Sequence, residues 1–144
     1  MYTVTKVRSF RGRDGYGFNT DLMKDGIKIA FVIDEGCGGC LHYEWADLME
    51  KDALNKHIKT LPKVKSPCGE MTVDIDLFVS RLVDVYEAEK KLKRLCKTKT
   101  LFRLKTDNEG TYRVIARRFD AAVKEFLLKK YGDNLGEIAN ERWL

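Results

Sequence analysis

The segment KDGIKIAFVID, residues 24–34, decides the fold class because it joins a turn signal to the clearest strand pattern in the chain. The dipeptide Asp25-Gly26 favours the tight turn of a β-hairpin. Side chains alternate between two faces along a strand, and one face here collects the large apolar residues Ile27, Ile29, Phe31 and Ile33. We therefore expect this face to be buried, with Phe31 in the core.

Three further strand patterns surround this segment within the first 46 residues. They are YTVTKVRS at 2–9, FNTDLM at 18–23 and LHYEW at 41–45. Glycine-rich stretches separate them, and connections this short join antiparallel neighbours. Residues 1–46 therefore predict an antiparallel β-meander.

The remaining chain, residues 47–144, has helical periodicity and one late hairpin. The pattern predicts helices from Asp47 to about Thr60 and from about Asp74 to Cys96. TLFRLK and TYRVIA then predict a β-hairpin around residues 106–110. A C-terminal helix at 120–131 follows, with Gly132 just past its end, and the tail after it has room for one more short helix. We expect an α+β fold in a single domain of residues 1–144, with a connection near 62–69.

The composition is that of a folded and moderately basic protein. Of the 144 residues 44% are hydrophobic and 34% are charged, and the formal net charge is +5, which permits an acidic partner such as nucleic acid. No apolar stretch approaches a membrane span, and the N-terminus has no signal-peptide pattern. With four cysteines and no export signal, we expect a cytoplasmic protein with reduced thiols and no membrane partner.

The segment DEGCGGCLHYEW, residues 34–45, contains the candidate metal ligands. Cys37 and Cys40 have the spacing of a zinc knuckle, His42 could add a third ligand, and Cys68 a fourth if its loop folds back. A second ligand pair is missing from the sequence, and a redox pair would need its first cysteine at a helix start. We therefore predict a glycine-rich turn, with no metal and no cofactor.

The N-terminal hairpin is the first candidate nucleic-acid surface. Residues 7–10 (VRSF) and 15–18 (GYGF) resemble the spacing in cold-shock domains, which carry a Val-Lys-Trp-Phe stretch and then Lys-Gly-Phe-Gly-Phe. Ser9 replaces the tryptophan, and Ile33 stands where a histidine is expected. The resemblance implies rings that stack on bases and cations that contact phosphates: Phe10, Tyr16 and Phe18 with Arg8, Arg11 and Arg13. The alternative is an ordinary hairpin whose aromatic side chains pack in the core.

The basic end of the long helix is the second candidate surface. It carries Lys90, Lys91, Lys93, Arg94, Lys97 and Lys99, and Arg103, Arg113, Arg117 and Arg118 follow in sequence. Cations at a helix C-terminus complement the helix dipole, which is the alternative explanation. We predict that Lys93, Arg94 and Lys97 contact phosphate.

No catalytic residues are predicted. Asp74 and Asp76 could belong to a metal-dependent enzyme, but acidic residues in the first turn of a helix ordinarily cap it. His57 has no evident partner. The sequence contains no phosphate-binding loop, nucleophile elbow or zinc-protease motif.

Three longer stretches together resemble small uncharacterised proteins of tailed phages and prophages. They lie at residues 15–45, at 74–83 (DIDLFVSRLV) and at 100–142, which includes KKYGDNLGEIANER. The resemblance implies a small accessory protein made inside a bacterial host cell. The expected function is non-enzymatic binding to nucleic acid or to a nucleic-acid-handling complex. The alternatives are a protein-directed inhibitor of a host system, that is, a counter-defence factor, and a metal-dependent enzyme.

Overall fold

The computed structural model describes all residues, 1–144, and the chain groups into two compact units, Met1–Glu87 and Ala88–Leu144. The boundary falls inside the long helix. Both units combine helices with antiparallel strands, which confirms the α+β class predicted from the sequence. None of the helices has the combination of length and apolar character that crossing a membrane requires.

The first unit is a four-stranded antiparallel meander, in the order β1-β2-β3-β4, packed against two helices. Asp25 and Gly26 both have positive φ, 50° and 84°, so they form the predicted hairpin turn. The connection predicted near 62–69 contains instead a small hairpin, β5-β6. The elements are β1 (Tyr2–Arg11), β2 (Tyr16–Lys24), β3 (Ile27–Asp34), β4 (His42–Trp45), α1 (Leu48–Lys59), β5 (Val64–Ser66), β6 (Gly69–Met71) and α2 (Ile75–Leu95).

The buried face of β3 is not the face predicted from the sequence. Ala30 and Val32 are the residues of β3 that pack with the helices in the core. Phe31 points to the opposite face, where the Lys28 ammonium lies 5.3 Å from its ring centroid. A bulge at Ile29 interrupts the pairing with β2, so Ile29 is buried on the same side as its neighbours in the core. The expectation that Phe31 belongs to the core is therefore wrong.

We expect Val32→Ala to lower the free energy of unfolding by about 2 kcal/mol, because this fully buried side chain leaves a cavity when it is shortened. Phe31→Ala should cost only about 1 kcal/mol, since its ring is part-exposed on the outer face. Chemical denaturation of both variants measures the difference. A larger loss for Phe31→Ala than for Val32→Ala would contradict this assignment of the faces.

The second unit is a three-stranded antiparallel sheet in the order β8-β7-β9, packed against one helix. The predicted hairpin forms its own sheet with a strand from the tail that the sequence does not predict. The Asp120 carboxylate accepts a hydrogen bond from the Val123 N–H at 2.8 Å, which starts the helix and lowers the pKa of Asp120. The elements are the end of α2, β7 (Thr100–Leu104), β8 (Arg113–Ile115), α3 (Ala121–Tyr131), β9 (Leu135–Ile138) and short 3-10 helices at Gly132–Asn134 and Ala139–Trp143.

Candidate nucleic-acid interface

The N-terminal hairpin does not bring its three aromatic rings to one face. Phe10 pairs with Gly17 across β1 and β2, whereas Tyr16 pairs with Arg11. Residues directly opposite each other in an antiparallel pair share a face, so Phe10 and Tyr16 point to opposite sides of the sheet. Phe18 lies on the same side as Tyr16 and packs against the core. A continuous stacking platform of the cold-shock kind is therefore not formed by these residues.

The cations of this hairpin are divided in the same way. Arg8 lies on the face of Phe10, opposite Asn19, and Arg11 lies on the other face. Arg13 is exposed in the turn that joins the two strands. These arginines are free to contact phosphate one by one, and a role for them in nucleic-acid binding stays a prediction.

The candidate metal ligands do not belong to any group of three or more potential ligands that could hold a metal ion. Cys37, Cys40 and Cys68 are all exposed, and no group of three or more His, Cys, Asp or Glu side chains is arranged to hold a metal ion. Cys68 occupies the turn of the β5-β6 hairpin, and its N–H donates to the Ser66 hydroxyl at 3.3 Å. The His42 ring lies 3.9 Å from a Glu35 carboxylate oxygen.

The segment around the two cysteines forms the connection between β3 and β4. Gly36 and Gly38 have φ of 73° and 75°, a conformation that side chains with a Cβ rarely adopt. The Gly36 N–H donates to the Asp34 carboxylate at 2.9 Å. The local geometry is that of a turn, and the glycines account for it.

The acidic pair at the start of α2 is used in structural hydrogen bonds. The Asp74 carboxylate accepts from the Leu77 N–H at 2.7 Å, as a helix cap does. The Asp76 carboxylate accepts from the Tyr43 hydroxyl at 2.7 Å and from the Leu41 N–H at 3.2 Å, which ties β4 to the helix. Burial and this hydrogen bond raise the pKa of Tyr43. Both carboxylates thus have structural partners.

A cavity of about 270 Å³ in the second unit is lined by both cationic and aromatic side chains. We call it the basic pocket. Its cations are Lys93 in the last turn of α2, Lys97 in the turn that follows the helix, and Arg118 from the segment between β8 and α3. No carboxylate side chain lines the pocket. The complete lining is Lys93, Cys96, Lys97, Arg118, Phe119, Asn140, Trp143 and Leu144.

Two aromatic rings and a thiol complete the chemistry of the basic pocket. Trp143 is part-buried against the small core formed by Leu92, Leu101 and Ala139. Phe119 packs against the other core of the unit. Burial raises the pKa of the Cys96 thiol, so this group is neutral at physiological pH and contributes no negative charge. The side chains of the pocket are therefore cationic or apolar, apart from the Cys96 thiol and the amide of Asn140.

Asn140 fixes the wall of the basic pocket. Its side-chain NH₂ donates to the carbonyl oxygens of Cys96 at 3.1 Å and Lys99 at 2.8 Å, and its side-chain oxygen accepts from the Leu101 N–H at 2.9 Å. The three bonds join the C-terminal 3-10 helix to the end of α2 and the start of β7. The backbone that carries Lys97 is therefore held in place without a ligand.

A second buried group positions the arginine of the basic pocket. The hydroxyl of Thr100, which is fully buried, donates to the Arg117 carbonyl oxygen at 2.8 Å. The Arg117 guanidinium lies 3.2 Å from the Asp120 carboxylate and so is already paired. Arg118, the next residue, has no such partner and faces the pocket.

The structure brings together two of the three helix-end residues singled out in the sequence. Lys93 and Lys97 line the basic pocket, whereas Arg94 is exposed on another side of the helix. Sequence reasoning does not find Phe119, Trp143 or Asn140, since Phe119 precedes α3 and the other two lie in the C-terminal 3-10 helix, far from Lys93 in sequence. The pairing of basic residues with a nearby aromatic in "RRF", residues 117–119, is the only local signal for this part of the pocket.

Comparison of the chain with protein-family models gives no match, and comparisons with curated proteins and with solved structures give none either. The resemblance to proteins of tailed phages thus stays a prediction from the sequence.

Proposed function

We propose that this protein is a small non-enzymatic accessory protein of phage or prophage origin that binds nucleic acid, alone or within a nucleic-acid-handling complex. The observation that carries the proposal is the concentration of unpaired positive charge in the second unit. The phage origin rests on the resemblance of the sequence stretches described above.

The charge of the chain is distributed unequally between the two units. Residues 88–144 contain 15 of the 27 lysine and arginine residues and 8 of the 22 acidic residues, which gives a net charge of +7. Residues 1–87 contain the other 12 cations and 14 carboxylates, a net charge of −2. A basic segment of this kind is the electrostatic feature that phosphate backbones attract.

Within the second unit, ion pairs neutralise most of the arginines but none of the lysines and arginines at the end of α2. Arg113 pairs with Asp107, and Arg142 pairs with Glu137 and Glu89. The residues left without an ion pair include Lys90, Lys91, Lys93, Arg94, Lys97, Lys99 and Arg118. These cations are available to an external anion.

The helix dipole explains only part of this arrangement. Lys93 and Arg94 lie in the last turn of α2, where the partial negative charge of the helix end favours them. Arg118 is not on the helix, yet it lines the same cavity as Lys93 and Lys97, and no carboxylate side chain lines that cavity. Like charges held together repel, and a bound phosphate would relieve this repulsion.

The test is a charge-neutralised variant, Lys93→Gln, Arg94→Gln, Lys97→Gln, assayed for binding to mixed-sequence DNA and RNA. We expect its affinity to fall at least about tenfold, and the slope of log affinity against log salt to flatten by about 2 for single strands, because three phosphate contacts are lost. Fluorescence anisotropy of labelled oligonucleotides over a range of salt concentrations measures both quantities.

The matched control is Lys51→Gln, Lys56→Gln, Lys59→Gln on α1. These lysines are exposed, and two of them lie in the last turn of their helix, so the control removes the same charge and a similar dipole interaction. The control should bind like the parent protein. If the charge-neutralised variant is folded and binds as tightly as the parent protein, the proposal is contradicted. That result would favour a protein partner, such as the target of a counter-defence factor.

A further inference from the structure

We propose that the basic pocket binds a single-stranded segment of nucleic acid, with a phosphate at Lys93, Lys97 and Arg118 and an unstacked base against Trp143. This inference rests on the proposed function. It adds that the nucleic acid is single-stranded and names the residues that would recognise a single strand.

The shape of the site favours a single strand over a duplex. The cations surround a cavity of about 270 Å³ that also contains the rings of Trp143 and Phe119. In a duplex the base faces are hidden within the stack, so a protein reaches them only when the strand is open. The cations and the rings line one concave site, so the phosphate and the unstacked base of one strand can contact them together.

The two kinds of group in the pocket match the two parts of a nucleotide. Single-strand binders combine cations that follow the backbone with rings on which bases stack, and stacking is tolerant of sequence because every base has a π-face. Lys93, Lys97 and Arg118 supply the first part, and Trp143 supplies the second. No side chain of the lining is a carboxylate, which is the side-chain group that would repel a phosphate.

Trp143 has packing partners before any ligand binds: its side chain lies against the small core of the unit, and the Arg142 guanidinium carbon lies 5.9 Å from its ring centroid. The neighbouring Arg142 guanidinium lies 2.6 Å from a Glu137 oxygen and 2.8 Å from a Glu89 oxygen, and it donates to the Tyr112 hydroxyl at 2.8 Å. The carboxylate of Glu137 accordingly raises the pKa of Arg142. Arg142 is therefore a structural residue that holds the C-terminal 3-10 helix, and its charge is already neutralised by carboxylates.

The chain offers a direct optical test, because it contains only two tryptophans, Trp45 and Trp143. The variant Trp45→Phe leaves Trp143 as the sole tryptophan without any change in the pocket. Its fluorescence is measured during titration with oligothymidylate, with oligouridylate and with a mixed-sequence DNA duplex, while anisotropy of the labelled nucleic acid reports binding separately.

We expect both single strands to quench Trp143 by at least about half at saturation, as stacking on the ring requires. Affinity for the duplex should be at least about tenfold weaker than for the single strands. Tighter binding to oligouridylate than to oligothymidylate would identify RNA as the ligand, and the reverse order would identify DNA. Either order supports the inference.

Two further variants distinguish a loss of binding caused by the missing ring from a loss caused by misfolding. Trp143→Leu removes the aromatic ring and should weaken single-strand binding about tenfold, whereas Trp143→Phe keeps a ring and should retain most of the affinity. Binding with unchanged Trp143 fluorescence, or binding of the duplex as tight as that of the strands, would overturn this inference and leave the proposed function intact. If neither the single strands nor the duplex binds, both this inference and the proposed function are contradicted.

Discussion

Asn140→Ala is expected to lower the free energy of unfolding of the second unit by about 4 kcal/mol, because three buried backbone groups lose their partner at once. The side chain of Asn140 is only 5% exposed and serves the Leu101 N–H and the carbonyl oxygens of Cys96 and Lys99. Each unsatisfied buried group costs about 1–3 kcal/mol. Water that enters the vacated space recovers part of this loss.

The measurement is chemical denaturation followed by the fluorescence of Trp143, in the Trp45→Phe background. Trp143 lies three residues from Asn140, so it reports on the same part of the chain. Asn108→Ala is the control, because Asn108 is exposed in the turn between β7 and β8. The control should change stability by no more than about 0.5 kcal/mol. A loss for Asn140→Ala that is no larger than the control's would show that the three hydrogen bonds do not hold the tail.

This result would link stability to the candidate site. Asn140 lines the basic pocket and also joins the segments that carry its cations and its tryptophan. A variant that loosens this junction should therefore bind nucleic acid less tightly even though every cation is still present. Separate segments of the chain form the pocket, and the buried side-chain amide of Asn140 joins two of them.

The order of the main elements, apart from the β5-β6 hairpin and the tail strand β9, follows from local signals in the sequence. The Asp25-Gly26 turn has the positive φ values that the dipeptide favours, and Asp120 caps the C-terminal helix. Each of these features depends on the conformations and hydrogen bonds of a few consecutive residues. The α+β class therefore follows from the sequence without tertiary information.

Which side chains of the first sheet are buried depends on β-bulges, and the alternation of residues in the sequence does not reveal these bulges. Val4 and Val7 are both buried although they are three residues apart, because an extra residue in β1, where Lys6 has φ of 52°, shifts the register between them. A simple period of two places these valines on opposite faces. The bulge at Ile29 has the same effect in β3. Such an extra residue is determined by the pairing with a neighbouring strand, which the sequence does not display.

The candidate site could not be predicted as a unit for a similar reason. The run of cations around Lys93 is visible in the sequence, but charge alone fits the helix dipole as well as a ligand. The distinction comes from Arg118 and Trp143, which lie 25 and 50 residues further along the chain. The tail strand β9 and the hydrogen bonds of Asn140 bring Trp143 to the helix end, whereas the Thr100 hydroxyl holds the segment of Arg118 through the Arg117 carbonyl.

Glycine is needed in the N-terminal hairpin where backbone segments approach each other too closely for a side chain. Backbone segments meet where Gly12, Gly17 and Gly36 come together, and the Asp14 N–H donates to the Gly36 carbonyl oxygen at 2.9 Å. A Cβ at Gly17 would lie 2.3 Å from the Asp34 carbonyl oxygen. Glycine is therefore required at this position because of close backbone contact, and its role in the fold is independent of any stacking surface.

Gly17→Ala is expected to lower the free energy of unfolding of the first unit by about 3 kcal/mol, the upper part of the range for overpacked sites. The added methyl group would meet the Asp34 carbonyl oxygen, the Gly36 nitrogen at 2.9 Å and the Phe10 ring at 2.7 Å. The ring can move, but the other two atoms belong to the backbone of β3 and its following turn. Relief therefore requires a shift of one strand relative to its neighbour, which disturbs the pairing of Phe18 with Asp34.

Gly39→Ala is the matched control for this substitution. Gly39 lies in the same connection after β3, its φ is outside the positive region, and no atom lies within 4 Å of an added Cβ. Alanine at this position should leave stability unchanged or raise it by up to about 1 kcal/mol, because it restricts the unfolded chain. Chemical denaturation followed by Trp45 fluorescence in a Trp143→Phe background measures both variants. If Gly17→Ala is as stable as Gly39→Ala, the end of β2 can move away from β3 at little cost in free energy. The close packing of the three glycines is then not what holds the hairpin against β3.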